Sequence, residues 1–96
     1  MIKEFEKFTI DNWKQPELTP ERATLCYMAT CMTGEAGETA DAVKKYCKST
    51  NTKEDILLEM GDTLHYLTRL GLELGYSLDD IMIANLDKLR KRKSVY

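Results

Sequence analysis

Proline is missing beyond residue 20: Pro16 and Pro20 are the only two in 96 residues. Nothing after that point carries the ring that breaks a helix. Alternation of β-branched and polar residues is missing too, so no stretch reads as a half-buried strand. No run of 18 apolar residues occurs, which leaves no candidate for a membrane-spanning helix. The opening Met1-Ile2-Lys3-Glu4-Phe5-Glu6 lacks the apolar core of a signal peptide, so a cytoplasmic location is the expectation. With one histidine, His65, and no CxxC pair among Cys26, Cys31 and Cys47, a structural zinc site is not expected, and the cysteines read as small buried thiols. An excess of positive charge is also absent: 14 Lys and Arg face 16 Asp and Glu, a net charge of −2, which gives no reason to expect binding to a nucleic acid polymer.

What remains is the material of one helical domain, taken as residues 1–96. Apolar residues make up 43% of it and charged residues 31%, the balance of a water-soluble globular chain. A chain this short buries only about 60–65% of its unfolded surface, so self-association is a natural way to bury more. A first short helix is expected over residues 2–13, with Ile2, Phe5, Phe8 and Trp13 as its apolar contacts. Thr19-Pro20-Glu21 is a helix start, with Thr19 as N-cap and Pro20 in the first turn. The second helix then runs to about Cys47 on a stripe of Leu25, Met28, Met32, Ala36, Ala40 and Val43. At 1.5 Å per residue it is about 42 Å long, which implies an exposed apolar stretch for a second subunit to cover. Asn51, with Glu54 three residues on, is the expected cap of the third helix, which ends at Gly75 in a left-handed conformation. Ser77-Leu78-Asp79-Asp80 opens a fourth helix with a basic end. No internal repeat is evident.

Two matched pairs of carboxylates stand out. Glu35 and Glu38 lie in Gly34-Glu35-Ala36-Gly37-Glu38, and Glu59 and Asp62 in Glu59-Met60-Gly61-Asp62. Residues three apart share a helix face. Helices joined by a short loop pack antiparallel. The first pair lies about two turns before the end of its stripe and the second about two turns into the next helix, so both fall at roughly one height. Four like charges gathered there need neutralising, and a hard divalent cation with oxygen ligands, Mg²⁺ with Mn²⁺ as a substitute, is the economical answer. A solvated charged face is the plain alternative, but one pair alone would suit it better than two pairs at matched height. Gly34, Gly37 and Gly61 beside the acids each cost about 1 kcal/mol relative to alanine in a helix, and serve either a close helix crossing or a ligand's approach.

A polar stripe follows on the fourth helix. Asn85, Lys88 and Arg92 share one face, where the two cations suit phosphate oxygens and Asn85 a phosphate or sugar. Bases also gather at helix C-termini for dipole reasons. His65, three residues after Asp62, makes half of a di-iron carboxylate motif, which needs a second histidine that this chain lacks.

Glu35-x-x-Glu38, Glu59-x-x-Asp62 and Asn85-x-x-Lys88-Leu89-x-x-Arg92 together resemble the MazG-like all-α nucleoside triphosphate pyrophosphohydrolases over about residues 20 to 93. The resemblance implies a four-helix bundle with long antiparallel helices that forms a homodimer, or a dimer of dimers. It implies Mg²⁺ held by Glu35, Glu38, Glu59 and Asp62. It implies a nucleoside triphosphate substrate cleaved between the α and β phosphates, with Lys88 and Arg92 on phosphates and Asn85 on sugar or phosphate. Glu38 is then the preferred base for the attacking water. Trp13, Phe8 and Tyr66 are candidates for an aromatic slot for the nucleobase, Tyr66 because it follows Asp62 by four residues. The alternative function is a non-catalytic helical module that binds a nucleotide or a protein and acts as a regulatory subunit.

Overall fold

The computed structural model describes residues 1–95, and among them there are four helices and no strand: α1 (Ile2–Asp11), α2 (Pro20–Cys47), α3 (Lys53–Glu73) and α4 (Leu78–Val95). Helix α1 stops two residues earlier than expected, where Asn12 turns its side-chain amide back onto the Phe8 carbonyl at 2.8 Å. Helix α2 starts as expected. Thr19 accepts from the Arg22 amide at 3.2 Å, and Pro20 occupies the first turn, where a missing N–H is harmless. At its other end Lys44 and Lys45 face the negative pole of the helix.

The cap of α3 differs from expectation by one residue. Thr52, not Asn51, is the N-cap, and its partner is Asp55 rather than Glu54. The Asp55 carboxylate accepts from the Thr52 amide at 2.9 Å, and Thr52 Oγ1 accepts from the Asp55 amide at 3.3 Å. These hydrogen bonds to the ionised form hold the Asp55 carboxyl below the ordinary carboxylate range. Asn51 is released to do something else: its amide donates to the Ala42 carbonyl at 3.0 Å, tying the α2–α3 loop back onto α2. Ser77 and Asp80 form the same reciprocal cap on α4, at 2.8 and 3.1 Å. Gly75 has φ +89°, the left-handed stop that the sequence called for.

The extensive helix contact lies between α2 and α3; α4 touches α3 at one end, and α1 packs on no other helix among the described residues. Within one chain the helices therefore do not close into a bundle. Ala42 is the one buried apolar side chain described, while Phe5, Phe8, Leu57 and Leu58 are each more than 60% exposed. The radius of gyration is 18.9 Å, well above the roughly 13 Å of a compact domain of this length. The cysteines are accordingly not buried thiols: Cys26 and Cys47 are exposed and Cys31 is half-buried, because the helix faces that carry them have no cover in one chain. No helix among the described residues is long and apolar enough to cross a membrane.

One close approach does fix α4. Gly71 is buried, and a Cβ there would lie 2.7 Å from Ile81 Cδ1 and 3.2 Å from the Tyr76 carbonyl oxygen. The Ile81 tip can swing away, but the Tyr76 carbonyl belongs to a turn held by its own amide bond to Gly71 O at 2.8 Å. Overpacking costs about 1–3 kcal/mol, against roughly 1 kcal/mol gained in helix propensity. Gly71→Ala is therefore expected to destabilise the fold by about 1 kcal/mol in urea unfolding; a variant more stable than wild type would show that α4 does not depend on this approach.

Candidate metal centre

The chain positions its acids through a short run of residues that occurs twice. Glu35-Ala36-Gly37-Glu38-Thr39 on α2 and Glu59-Met60-Gly61-Asp62-Thr63 on α3 share the pattern Glu-x-Gly-acid-Thr, a short repeat that contradicts the expectation of none. The two threonines meet, Oγ1 to Oγ1, at 3.2 Å across the helix pair. Each hydroxyl also lies 3.2 Å from the carbonyl oxygen of the first acid in its own run, Glu35 or Glu59. One hydroxyl can donate across while the other donates back, so both are satisfied and the rotational setting of the two helices is held beside the acids.

That setting brings Glu35, Glu38 and Glu59 together, with one carboxylate oxygen of each within 4.8 Å of the others. Glu35 and Glu59 are half-buried and Glu38 is exposed. Asp62 stands outside this tight group but close enough to act on Glu59. Burial first, then the charges of Glu38, Asp62 and Glu35, hold the Glu59 carboxyl above its ordinary pKa. The donor set suits a hard cation. Oxygen ligands about 2.0–2.1 Å from Mg²⁺ stand no more than about 4.2 Å apart, so three oxygens within 4.8 Å need only a small inward movement. Carboxylates alone make up this group; His65 stays out of it, exposed, with its ring edge-on to Tyr66 at 5.2 Å between centroids. That placement does not favour a di-iron centre.

Gly34, Gly37 and Gly61 have nothing within 4 Å of where a Cβ would be. A tight helix crossing inside one chain is therefore not what they serve, and the space beside the acids is open.

The remaining candidates lie elsewhere. Asn85 and Lys88 line a groove with Tyr76, Ile81 and Ala84 on the α4 side of the molecule. Arg92 is exposed, and Trp13 is 73% exposed beyond the end of α1. None of these four lines the cavity at the carboxylates, which has a volume of about 260 Å³. Tyr66 is half-buried one turn beyond Asp62. It neighbours Tyr27, whose phenol is held above its ordinary pKa by a hydrogen bond to Cys31 and by the charges of Cys31 and Tyr66. Lys45, near the C-terminal end of α2, lines the carboxylate cavity with Asp41. Its spacing carried the signal: Lys45 follows Glu38 by about two turns and so shares its face.

Residues 24–95 match the MazG nucleotide pyrophosphohydrolase domain family. The chain belongs to the MazG family. Among curated proteins it is 33% identical over 75 residues to the Gene 37 protein of Mycobacterium phage L5, an alignment covering 72% of this chain and 66% of that protein. No solved structure matches the chain.

The raised Glu59 pKa has a definite consequence for stability. A carboxyl with a higher pKa folded than unfolded binds its proton more tightly in the fold. The stability it contributes is complete below the ordinary carboxylate pKa and is lost as pH rises through the raised value. In metal-free protein Glu59→Gln is expected to raise the melting temperature at neutral pH, with the gain vanishing in acid. A gain independent of pH would show that repulsion at Glu59 is not its source.

Proposed function

We propose that this protein hydrolyses nucleoside or deoxynucleoside triphosphates between the α and β phosphates, with Mg²⁺, releasing the monophosphate and pyrophosphate. The observation that carries this reading is the convergence of Glu35, Glu38 and Glu59, with Asp62 beside them, in a MazG-family chain. Glu35, Glu38, Glu59 and Asp62 hold the cation. Once held, Mg²⁺ or Mn²⁺ supplies positive charge to the phosphate oxygens and acidifies an attacking water. Glu38 takes the proton from the attacking water; it is the exposed member of the close trio Glu35, Glu38 and Glu59. Tyr66, one turn past Asp62, lies where a nucleobase or sugar can stack.

Lys88, Arg92 and Asn85 bind the phosphates and the sugar from a second copy of the chain, with Trp13 offering an aromatic surface to the base. The separation of α4 from the carboxylates within one chain supports this arrangement. So do the near-absence of buried apolar residues and the large radius of gyration. In the dimer, α2 and α3 from each copy form the four-helix bundle; the pairing of Thr39 with Thr63 and of Asn51 with Ala42 supports the antiparallel course of α2 and α3 within each copy. The reaction removes triphosphates from a nucleotide pool.

The test is pyrophosphate release from a panel of triphosphates, with Mg²⁺ and with EDTA. Glu38→Gln and Asp62→Asn are each expected to lower Mg²⁺-dependent release by about 10²–10⁴-fold, the scale of losing a general base or a charge partner, with helix content by circular dichroism unchanged. Normal turnover in either variant would remove that residue from the site. A folded wild type that releases no pyrophosphate from any nucleotide would favour a regulatory binding module instead.

The shared site makes a separate prediction. Glu38→Gln and Lys88→Ala chains, each inactive alone, are expected to recover about a quarter of wild-type activity when unfolded together and refolded as a mixture, because half of the dimers are mixed and each of those holds one intact site. Recovery of nothing would place Lys88 in the same chain's site.

A further inference from the structure

Among the described residues Lys45 is the one ammonium that lines the carboxylate cavity. That cavity is lined by Glu38, Asp41, Lys45, Asn51, Asp55 and Glu59. Lys45 Nζ lies 3.0 Å from Asp41 Oδ2, and its charge is further favoured by Glu38 and Glu59. Asp41 is shared, since Lys44 Nζ stands 3.7 Å from its other oxygen. Lys45 can therefore leave Asp41 without stranding it, and exposed ion pairs of this kind are weak enough to exchange. With the acids unneutralised, Lys45 is drawn towards them. A divalent cation held by Glu35, Glu38 and Glu59 would weaken that attraction and leave the ammonium at the rim of the cavity, available to a phosphate oxygen. A lysine, as a mobile point charge on a long stem, suits such an exchange of partners.

We propose that Lys45 binds a phosphate oxygen of the nucleotide in the same chain's site, having first served as counter-charge to the carboxylates. The proposal rests on the pyrophosphohydrolase reading and deepens it. It gives each copy a phosphate-binding cation of its own, in addition to those that α4 brings.

The test compares wild type, Lys45→Gln and Lys45→Arg by calorimetry, with MgCl₂ alone and with a non-hydrolysable α,β-methylene triphosphate plus Mg²⁺. Lys45 is exposed, so the variants are expected to fold. Lys45→Gln should weaken nucleotide binding about ten-fold or more, the scale of one charge-assisted hydrogen bond. It should leave Mg²⁺ binding alone unchanged or tighter, because a competing positive charge has gone. Lys45→Arg should restore most of the nucleotide affinity. Unchanged nucleotide affinity in Lys45→Gln overturns the proposal, and so does an equal loss of Mg²⁺ affinity, which would mark a purely structural role. If the wild type hydrolyses nucleotides and Lys45→Gln binds them normally, the proposal alone falls; a wild type that neither binds nor hydrolyses them overturns the proposal together with the functional reading.

Discussion

Like charges within 4.8 Å of one another repel, and three carboxylates of this chain are held at that separation on two facing helices. Half-burial of Glu35 and Glu59 lessens the screening that water would otherwise provide. The neighbouring residues answer that repulsion. The paired hydroxyls of Thr39 and Thr63 hold the helices in the setting that creates it. Lys45 offsets part of the charge from one side, and burial, together with the remaining repulsion, keeps the pKa of Glu59 raised. On the proposed metal-binding reading, a bound cation would relieve this repulsion and so couple metal binding to folding.

The glycines fit the same constraint. Gly37 and Gly61 each precede the second acid of a pair, and neither has a neighbour where a Cβ would stand. In a helix exposed to solvent this is a cost without return. On the proposed reading the open space would keep the approach to the acids clear for a triphosphate, or would let a second chain's backbone come close.

The existence of four helices, the Thr19 cap, the Gly75 stop and the pairing in space of the two acid runs were legible in the sequence, because each depends on local spacing or on loop length, while the end of α1 fell two residues short of Trp13. The Thr52 cap was missed by one residue because Asn51, equally good as a cap, is held by the Ala42 carbonyl, a contact that exists only once the loop has folded back. The Thr39–Thr63 bridge and the place of Lys45 were missed for a related reason: they depend on the rotation of one helix against the other. The repeated Glu-x-Gly-acid-Thr pattern was present in the sequence all along, and gains its meaning when the two copies face each other.

The positions of α1 and α4 follow from different physics. Helix α1 carries Phe5 and Phe8 into solvent, at more than 60% exposure each, and contacts no other described helix. A ten-residue helix of this kind is marginal in water and is ordinarily stabilised by packing its apolar face. Helix α4 is anchored by the Gly71–Ile81 approach near its start. Of the two helices with least packing on the rest of the chain, α1 leads into Trp13 and α4 carries the Asn85–Lys88–Arg92 stripe, while the two with most carry the acids. Such a division suits a site in which the acids are fixed within each copy and the remaining substrate contacts arrive with the copy beside it. Assembly would then complete the core and the active site in one step, so that a lone chain would lack full catalytic competence as well as stability.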